Sequence, residues 1–325
     1  NAAPNVDFNL VEAGETRHKL DWLWGINLSR ALTLAVKSTG HFKILSSGRV
    51  QGPALKILAE REKEIKKFKS EPYWEIYLDG LIHNEKIRAL HKTDKFWEKN
   101  KAQEVIKKTK GHQGIISDVK KIAFEKTPPI PFDLTTLQTE AYRTLKIQPK
   151  HTLEIAQELY ISGLISYPRT SSQKLPSTIN YKKILSHLTK QKEYEKLAEE
   201  IINFKQLSPV QGKSDDPAHP AIYPTGEIKP LQSREKQVYD LIVRRFLSAF
   251  APNSKRETNT IEIDVNKEIF LLSGTKTLEQ GWQKFYGKYV GHKDIELPEV
   301  KKEDPVKVKN ITMEEKETPP PKRYT

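Results

Sequence analysis

The sequence contains no cysteine and only one methionine among its 325 residues. The lack of cysteine excludes disulfides, thiol chemistry and cysteine-ligated zinc. No apolar run approaches the roughly 18 residues of a membrane-spanning helix, and the amino-terminal NAAPNVDFNL lacks the charged and apolar regions of a signal peptide. We therefore expect a cytoplasmic protein. The many lysines and glutamates are typical of a thermophile.

Positive charge is what the sequence has in excess. It holds 55 lysines and arginines against 42 aspartates and glutamates, a formal net charge of +13. This balance favours an anionic partner, most commonly nucleic acid, and an ordinary soluble basic protein is the alternative. Hydrophobic residues make up 36% of the chain, enough for folded cores. The length predicts two or three domains.

Hydrophobic spacing predicts an α+β, multidomain fold. Helical periodicity covers residues 11–37, a segment after Gly52, 135–145, 151–161, 181–200 and 234–250. Alternation predicts strands in 73–91, 258–265, 268–274 and 306–313, and two short strands within 112–126. β-rich parts at about 70–127 and 258–313 thus flank a helical block at about 133–250, joined by the proline-rich TPPIPFDL. This order predicts a β-rich domain interrupted by an inserted helical domain.

The stretch GLISYPRTSSQKLP places a tyrosine beside a cation. Proline biases the preceding Tyr167 toward extended backbone, outside a helix. A phenol with a pKa of about 10 is a poor nucleophile without help, but tyrosine can form a covalent intermediate and Arg169 could stabilise a phosphate. Taken alone, the motif is more often a core tyrosine and a surface arginine.

The loop DDPAHPAIYPTG contains a second candidate. His219, held between small residues and prolines, could bind a phosphate or assist proton transfer. A solvent-facing histidine is the simpler interpretation. Asp215 and Asp216 could bind a metal, but with no third acidic ligand nearby we do not predict a metal site in this chain.

A third group lies near the amino terminus, in RHKLD and SSGRVQG. Arg17 and Asp21 share a helix face at spacing four, which fits a salt bridge equally well. Gly48 and Gly52 would let a sugar–phosphate backbone approach closely. Arg49 and Gln51 would then contact phosphate and base.

Together these stretches resemble the type IA DNA topoisomerases, and most of all archaeal topoisomerase III. GLISYPRTSS resembles their active-site tyrosine motif, and LDWLWGINLSRAL and SSGRVQGPAL resemble two segments that precede it. FDLTTLQTEAYRTL, HPAIYPTG and PPPKRYT match further family motifs in the family's order. The resemblance extends over essentially the whole chain, and the ordered set of motifs makes it specific.

The resemblance implies a function for the longer protein. Tyr167 would cleave one DNA strand through a 5′-phosphotyrosine, a second strand would pass, and religation would relax negative supercoils without ATP. Arg169 would stabilise the scissile phosphate, and His219 would contact the backbone beside it. Single-stranded DNA would be the partner, held by Arg17, Asp21, Arg49, Gln51, Thr170 and Ser172. Such a protein would lie at the nucleoid.

The departures from the family pattern limit this expectation. Bacterial members have Thr-Asp-Ser where Thr170, Ser171 and Ser172 stand, and often arginine at Tyr223, which indicates a subfamily. The D-x-D-x-E cluster of the family's Toprim domain, which binds Mg²⁺, has no counterpart here; Glu262 and Asp264 fit the wet face of a strand. We therefore expect a fragment that binds single-stranded DNA but cannot cleave it, with Mg²⁺ bound by a Toprim domain outside this chain, in cis or in trans.

The resemblance also implies domain limits. Residues 1–49 would belong to a helical DNA-binding base, and 50–132 with 246–318 would form a β-rich arch. Residues 133–245 would form the helical, tyrosine-bearing domain, and 319–325 would return to the base. A non-catalytic single-stranded-DNA-binding or arch module with a vestigial tyrosine is the alternative function. A rolling-circle nuclease or tyrosine recombinase fits less well, because HPAIYP is not a paired-histidine motif.

Overall fold

The computed structural model describes residues 6–216 and 218–324. In chain order the elements are α1 (Phe8–Lys37), α2 (Gln51–Lys67), β1 (Pro72–Ile82), β2 (Glu85–His91), α3 (Lys99–Thr109), β3 (Gly114–Lys126), α4 (Leu134–Leu145), α5 (Pro149–Ile161), α6 (Tyr181–Leu188), α7 (Glu195–Ile202), α8 (Ser233–Ser248), β4 (Ser254–Val265), β5 (Glu268–Glu279), α9 (Trp282–Tyr286), a 3₁₀ turn (Gly287–Tyr289) and β6 (Pro305–Glu317). The mixture of helices and strands expected from the sequence is therefore present, and the helices α4 to α8 lie between β3 and β4 in the chain.

The strands form a closed antiparallel barrel in the order β1-β2-β5-β4-β3-β6. Two tight hairpins set its register. His83 and Asn84 both have positive φ between β1 and β2, and Asn266 and Lys267 do the same between β4 and β5. Two consecutive residues with positive φ match the right-handed twist of paired strands. The strands that alternation predicts within 73–91, 258–265 and 268–274 are therefore present.

One long strand replaces the two strands predicted within 112–126. β3 pairs with β4 from Ile115 opposite Asp264 to Lys126 opposite Ser254, with one irregularity after Ile116. Ile122 and Phe124 are exposed on its outer half. A bulge adds a residue without ending a strand, so the change of pattern near Ile116 marks an irregularity and not a turn.

The helical block packs around its own hydrophobic core, built from α4 to α9 and the segments between them. The helix predicted over 181–200 is two helices, α6 and α7. The intervening turn buries Tyr194, which is 2% exposed and packs edge-on against Tyr239. Burying that ring outweighs the small gain of continuing the helix, because an aromatic side chain contributes a large apolar area. The patterns also do not predict the short helices α3 and α9.

The chain divides into two compact units. The first contains the described parts of Asn1–Glu75 and Met313–Thr325, together with Lys95–Ala102, and the second contains Ile76–Asp94 and Gln103–Thr312. In the first unit, no side chain of α1 or α2 is buried among the described residues. The domain limits given above at 49, 132, 245 and 318 stay predictions.

Candidate functional site

Tyr167 lies in an extended segment that follows α5. The helix ends in a turn where Gly163 has a φ of 74° and the Leu164 N–H donates to the Leu159 carbonyl at 2.9 Å. Glycine is favoured there because L-residues resist this left-handed conformation. The buried side chains of Leu164 and Ile165 then anchor the segment. Tyr167 therefore projects from a fixed backbone and is half-buried.

The structure brings His219 and Tyr160 to Tyr167. The His219 and Tyr167 ring centroids are 4.6 Å apart with an interplanar angle of 48°. Tyr160 presents its edge to Tyr167 at 5.3 Å, and its side chain is 40% exposed. Edge-to-face pairs of this kind restrict ring orientation. The three rings therefore form a cluster around the phenol of Tyr167.

Short backbone pairings hold the His219 loop against the tyrosine segment. Isolated bridges join Phe132 to Ile222 and Ile165 to Pro224. The Ser166 N–H donates to the Tyr223 carbonyl at 2.9 Å. These contacts link segments that are distant in sequence, and they place His219 beside Tyr167.

Thr170 and Ser172 form hydrogen bonds that stabilise the turn after Tyr167 and its contact with the His219 loop. Both are buried, at 4% and 1% exposure. The Thr170 hydroxyl donates to the His219 carbonyl at 3.2 Å and accepts from the Ser172 N–H at 3.0 Å. The Ser172 hydroxyl accepts from the Lys174 N–H at 3.2 Å. Their DNA contacts stay a prediction, and the observed role is to shape the turn after Tyr167.

Arg169 is exposed two residues beyond the tyrosine. Among residues 6–216 and 218–324, its guanidinium forms no hydrogen bond and no ion pair. An open groove of about 610 Å³ borders His219 on the same unit, and Lys174 and Ser172 help to line it. An exposed guanidinium in this position is suited to binding a phosphate.

The two acidic residues of the loop are engaged with other groups. Asp215 forms an ion pair with Lys174 at 2.8 Å. Asp216 accepts hydrogen bonds from backbone N–H groups, first among them that of Ala218, which lower its pKa. In the described part of the chain, no group of three or more His, Cys, Asp or Glu side chains could hold a metal ion.

The remaining predicted residues lie in the first unit. Asp21 forms an ion pair with Arg49, and no ion pair joins it to Arg17 among the described residues, so the helix salt bridge suggested by their spacing is wrong. Arg17 and Gln51 are exposed. A Cβ on Gly48 would meet no atom closer than 4.0 Å, so open space borders this turn, as a backbone-binding loop requires.

Tyr160 and Asp216 contribute to the site in ways that the sequence analysis missed. Asp216 precedes His219 by three residues, and aspartate at this spacing commonly accepts from backbone N–H groups to form a turn. That signal was present in DDPAHP. For Tyr160 the only signal is its position next to the last residue of α5. No described helix is long and apolar enough to cross a membrane.

Comparison with known proteins shows the family to which this fold belongs. A sequence model of the family described as DNA topoisomerase matches residues 5–325. The structure is similar to that of full-length topoisomerase I from Thermotoga maritima, with a TM-score of 0.74 and 26% identity, over 99% of this chain and 52% of that one. The chain therefore belongs to the type IA DNA topoisomerase family.

Curated relatives agree with this class. DNA topoisomerase 1 of Pyrococcus horikoshii is 46% identical over 100% of this chain and 48% of its own length. DNA topoisomerase 1 of Methanocaldococcus jannaschii is 49% identical over 98% of this chain and 42% of its own. DNA topoisomerase 3 of Bacillus subtilis is 30% identical over 97% of this chain and 45% of its own. The chain thus spans less than half the length of these relatives.

Proposed function

We propose that this chain is the tyrosine-bearing part of a type IA topoisomerase and that Tyr167 is its nucleophile. The Tyr167 oxygen attacks a DNA phosphorus, a 5′-phosphotyrosine bond forms, and the 3′-oxygen leaves as a hydroxyl. After strand passage the 3′-hydroxyl attacks the same phosphorus and releases the tyrosine. The phosphodiester energy is kept in the covalent bond, so no ATP is needed. The close packing of His219 on Tyr167 supports this proposal most directly.

The neighbouring groups fit phosphoryl transfer. Charge develops on the nonbridging oxygens of the phosphate, and a guanidinium can bind two of them at once. Arg169 is exposed and lacks a partner within the described residues, so it can supply that contact without breaking an ion pair. His219 is half-buried beside the phenol, where an imidazole could bind a phosphate oxygen.

Single-stranded DNA is the substrate that we propose for the rest of the chain. The net charge of +13 supports electrostatic binding. In the first unit Arg17 and Gln51 are exposed and available to a strand. Arg49 would have to exchange its ion pair with Asp21 for a phosphate. In this proposal residues 1–49 belong to a helical DNA-binding base, and residues 50–132 with 246–318 form a β-rich arch interrupted by the helical domain of residues 133–245.

The chain's own residues do not fit a magnesium site. Mg²⁺ takes oxygen ligands in near-octahedral geometry. Within the described ranges no cluster of three or more acidic or histidine side chains is available, and Glu262 and Glu268 form ion pairs with lysines. We therefore assign the ion that the resemblance implies to a Toprim domain outside this chain.

A chimera tests the proposal. This chain replaces the matching segment of the Pyrococcus horikoshii relative, to which it is 46% identical. We expect the chimera to form a covalent adduct with single-stranded DNA and Tyr167→Phe to abolish it. Tyr142→Phe, a tyrosine on α4 that is 44% exposed, is the matched control and should cleave normally.

The same two assays, for DNA binding and for adduct formation, are applied to the isolated chain. We expect it to bind single-stranded oligonucleotides with an affinity that falls steeply with salt and to form no covalent adduct. An adduct from the isolated chain would refute the claim that a further part is needed. A folded chimera that binds DNA but forms no adduct would favour the non-catalytic binding module.

A further inference from the structure

One carboxylate links the His219 loop to the tyrosine segment. Asp216 Oδ1 accepts from the N–H groups of Ala218 at 2.9 Å and His219 at 3.3 Å. Its second oxygen, Oδ2, faces the other segment, where it accepts from the Ser171 hydroxyl at 3.3 Å and the Ser171 N–H at 3.5 Å. Ser171 lies four residues after Tyr167. The side chain therefore spans the two segments that bring the His219 and Tyr167 rings together.

We propose that Asp216 is a positioning residue for this site, which holds the His219 ring on Tyr167 by fixing the His219 backbone to the tyrosine segment. The inference rests on the proposed function of Tyr167. Asp216 acts through His219 and not on the reacting atoms. Its two oxygens have different tasks, because one closes the turn of its own loop and the other connects that loop to Ser171.

The peptide groups of His219 are restrained on both sides. Its N–H donates to Asp216 at 3.3 Å, and its carbonyl accepts from the buried Thr170 hydroxyl at 3.2 Å. Thr170 and Ser171 are consecutive residues of the tyrosine segment. One restraint comes directly from Thr170 and the other comes from Ser171 through Asp216, and together they fix the His219 backbone beside the tyrosine segment.

The carboxylate is suited to this task because it is charged. The backbone N–H groups, led by that of Ala218, lower the pKa of Asp216, so both oxygens accept at neutral pH. A hydrogen bond to an ionised acceptor is stronger than one between neutral groups. An asparagine keeps one acceptor oxygen but presents an NH₂ to the other side, where it cannot accept from the Ser171 N–H and can only donate to the Ser171 hydroxyl.

Asp215 provides a matched control. It stands next to Asp216 and carries the same charge, but it pairs with Lys174 at 2.8 Å and is exposed. Neither of its oxygens accepts from Ser171 or His219 in the described structure. Asp215→Asn thus makes the same chemical change as Asp216→Asn without touching the link.

The first measurement needs no catalysis. In the full chain, the His219 ring protons are observed by NMR and assigned by their loss in His219→Gln. The neighbouring Tyr167 ring, with its centroid 4.6 Å away, should shift them from free-histidine positions. We expect Asp216→Asn to move them most of the way back, Ser171→Ala to move them part of the way, and Asp215→Asn to leave them in place. An unmoved His219 signal in folded Asp216→Asn would overturn the inference.

The second measurement uses the chimera. We expect Asp216→Asn to slow adduct formation by about 10- to 100-fold, as small misplacements at an active site do, while oligonucleotide binding changes by less than about twofold. Unchanged cleavage with a moved His219 signal would overturn the inference and leave the role of Tyr167 intact. If the unmodified chimera does not cleave, the proposed function fails, and the NMR result alone decides whether Asp216 positions His219.

Discussion

Two glycines share a left-handed backbone conformation but differ in how closely other atoms surround them. Replacing each with alanine therefore separates the cost of overpacking from the cost of backbone strain. Gly163, in the turn before Tyr167, has a φ of 74°, and Gly226, in the segment after His219, has a φ of 86°. A Cβ on Gly163 would meet nothing within 4 Å. On Gly226 it would lie 2.6 Å from the His187 Cβ and 2.9 Å from the Ile184 carbonyl oxygen. Neither of those atoms can move without moving the backbone of α6.

The expected costs follow from this geometry. Left-handed backbone costs an L-residue about 1–2 kcal/mol, and alanine recovers about 0.4–1 kcal/mol by restricting the unfolded chain. Gly163→Ala should therefore lower the free energy of unfolding by about 1 kcal/mol. Gly226→Ala adds an overpacking cost of about 1–3 kcal/mol, for a total of about 2–4 kcal/mol.

Guanidinium unfolding followed by circular dichroism measures the loss of unfolding free energy in both variants. Gly111→Ala is the control, because Gly111 has a φ of 80° and a Cβ there would also meet nothing within 4 Å. It should match Gly163→Ala. If Gly226→Ala costs no more than the other two, the tight packing of this glycine on α6 is wrong.

Two further predictions concern charged groups. Arg169→Ala should reduce adduct formation by the chimera about 10²–10³-fold and change the free energy of unfolding by less than about 0.5 kcal/mol. Normal cleavage by this variant would show that Arg169 has no role in the reaction. Burial alone would raise the pKa of Asp240, but hydrogen bonds from Lys288 and Tyr289 and the charge of Arg244 lower it. Because the folded pKa lies below the unfolded value, this carboxylate stabilises the fold above about pH 4 and the contribution is lost as pH falls through the folded pKa. Asp240→Asn should cost about 2 kcal/mol at pH 7 and flatten the acid side of the stability profile; an unchanged profile would contradict this.

Much of the fold was predictable because its signals are local. The spacing of Leu137 and Ala141 identifies α4, and the same reasoning identifies α5. Asp133 caps α4 with a reciprocal hydrogen-bonded pair to Thr136, and such caps are readable in the sequence. Alternation identifies the strands β1, β2, β4 and β5. These features depend on neighbours within a few residues, where patterns are informative.

The errors occurred where distant residues decide the structure. The break between α6 and α7 depends on burying Tyr194 beside Tyr239, and Tyr239 lies on α8. The pairing of Asp21 with Arg49, and not with Arg17, depends on a loop that returns to α1. The Ser29 hydroxyl fixes that loop by accepting from the Ser47 N–H at 3.0 Å. No periodicity in either segment reports such contacts.

The sequence motifs identify candidate residues for the site, but they do not show how these residues are arranged. Tyr167 and His219 could be selected from their motifs, whereas their contact depends on bridges such as that between Ile165 and Pro224. Tyr160 could not be selected, because a tyrosine near a helix end is ordinary. A motif identifies which groups can react, and the long-range pairing decides which of them meet.

Hydrogen bonds, and no ion pair with Arg169 among the described residues, link the His219 loop to the tyrosine segment, and this has a consequence for the charge of the site. Asp216 accepts from N–H groups and from the Ser171 hydroxyl, and Asp215 forms an ion pair with Lys174. Neither acid is paired with Arg169, so its positive charge remains available to a phosphate. Had the loop been fixed by an Arg169–aspartate pair, DNA would have to displace a carboxylate before the phosphate could bind. The observed hydrogen bonds fix the loop and leave Arg169 free for the phosphate contact that we propose.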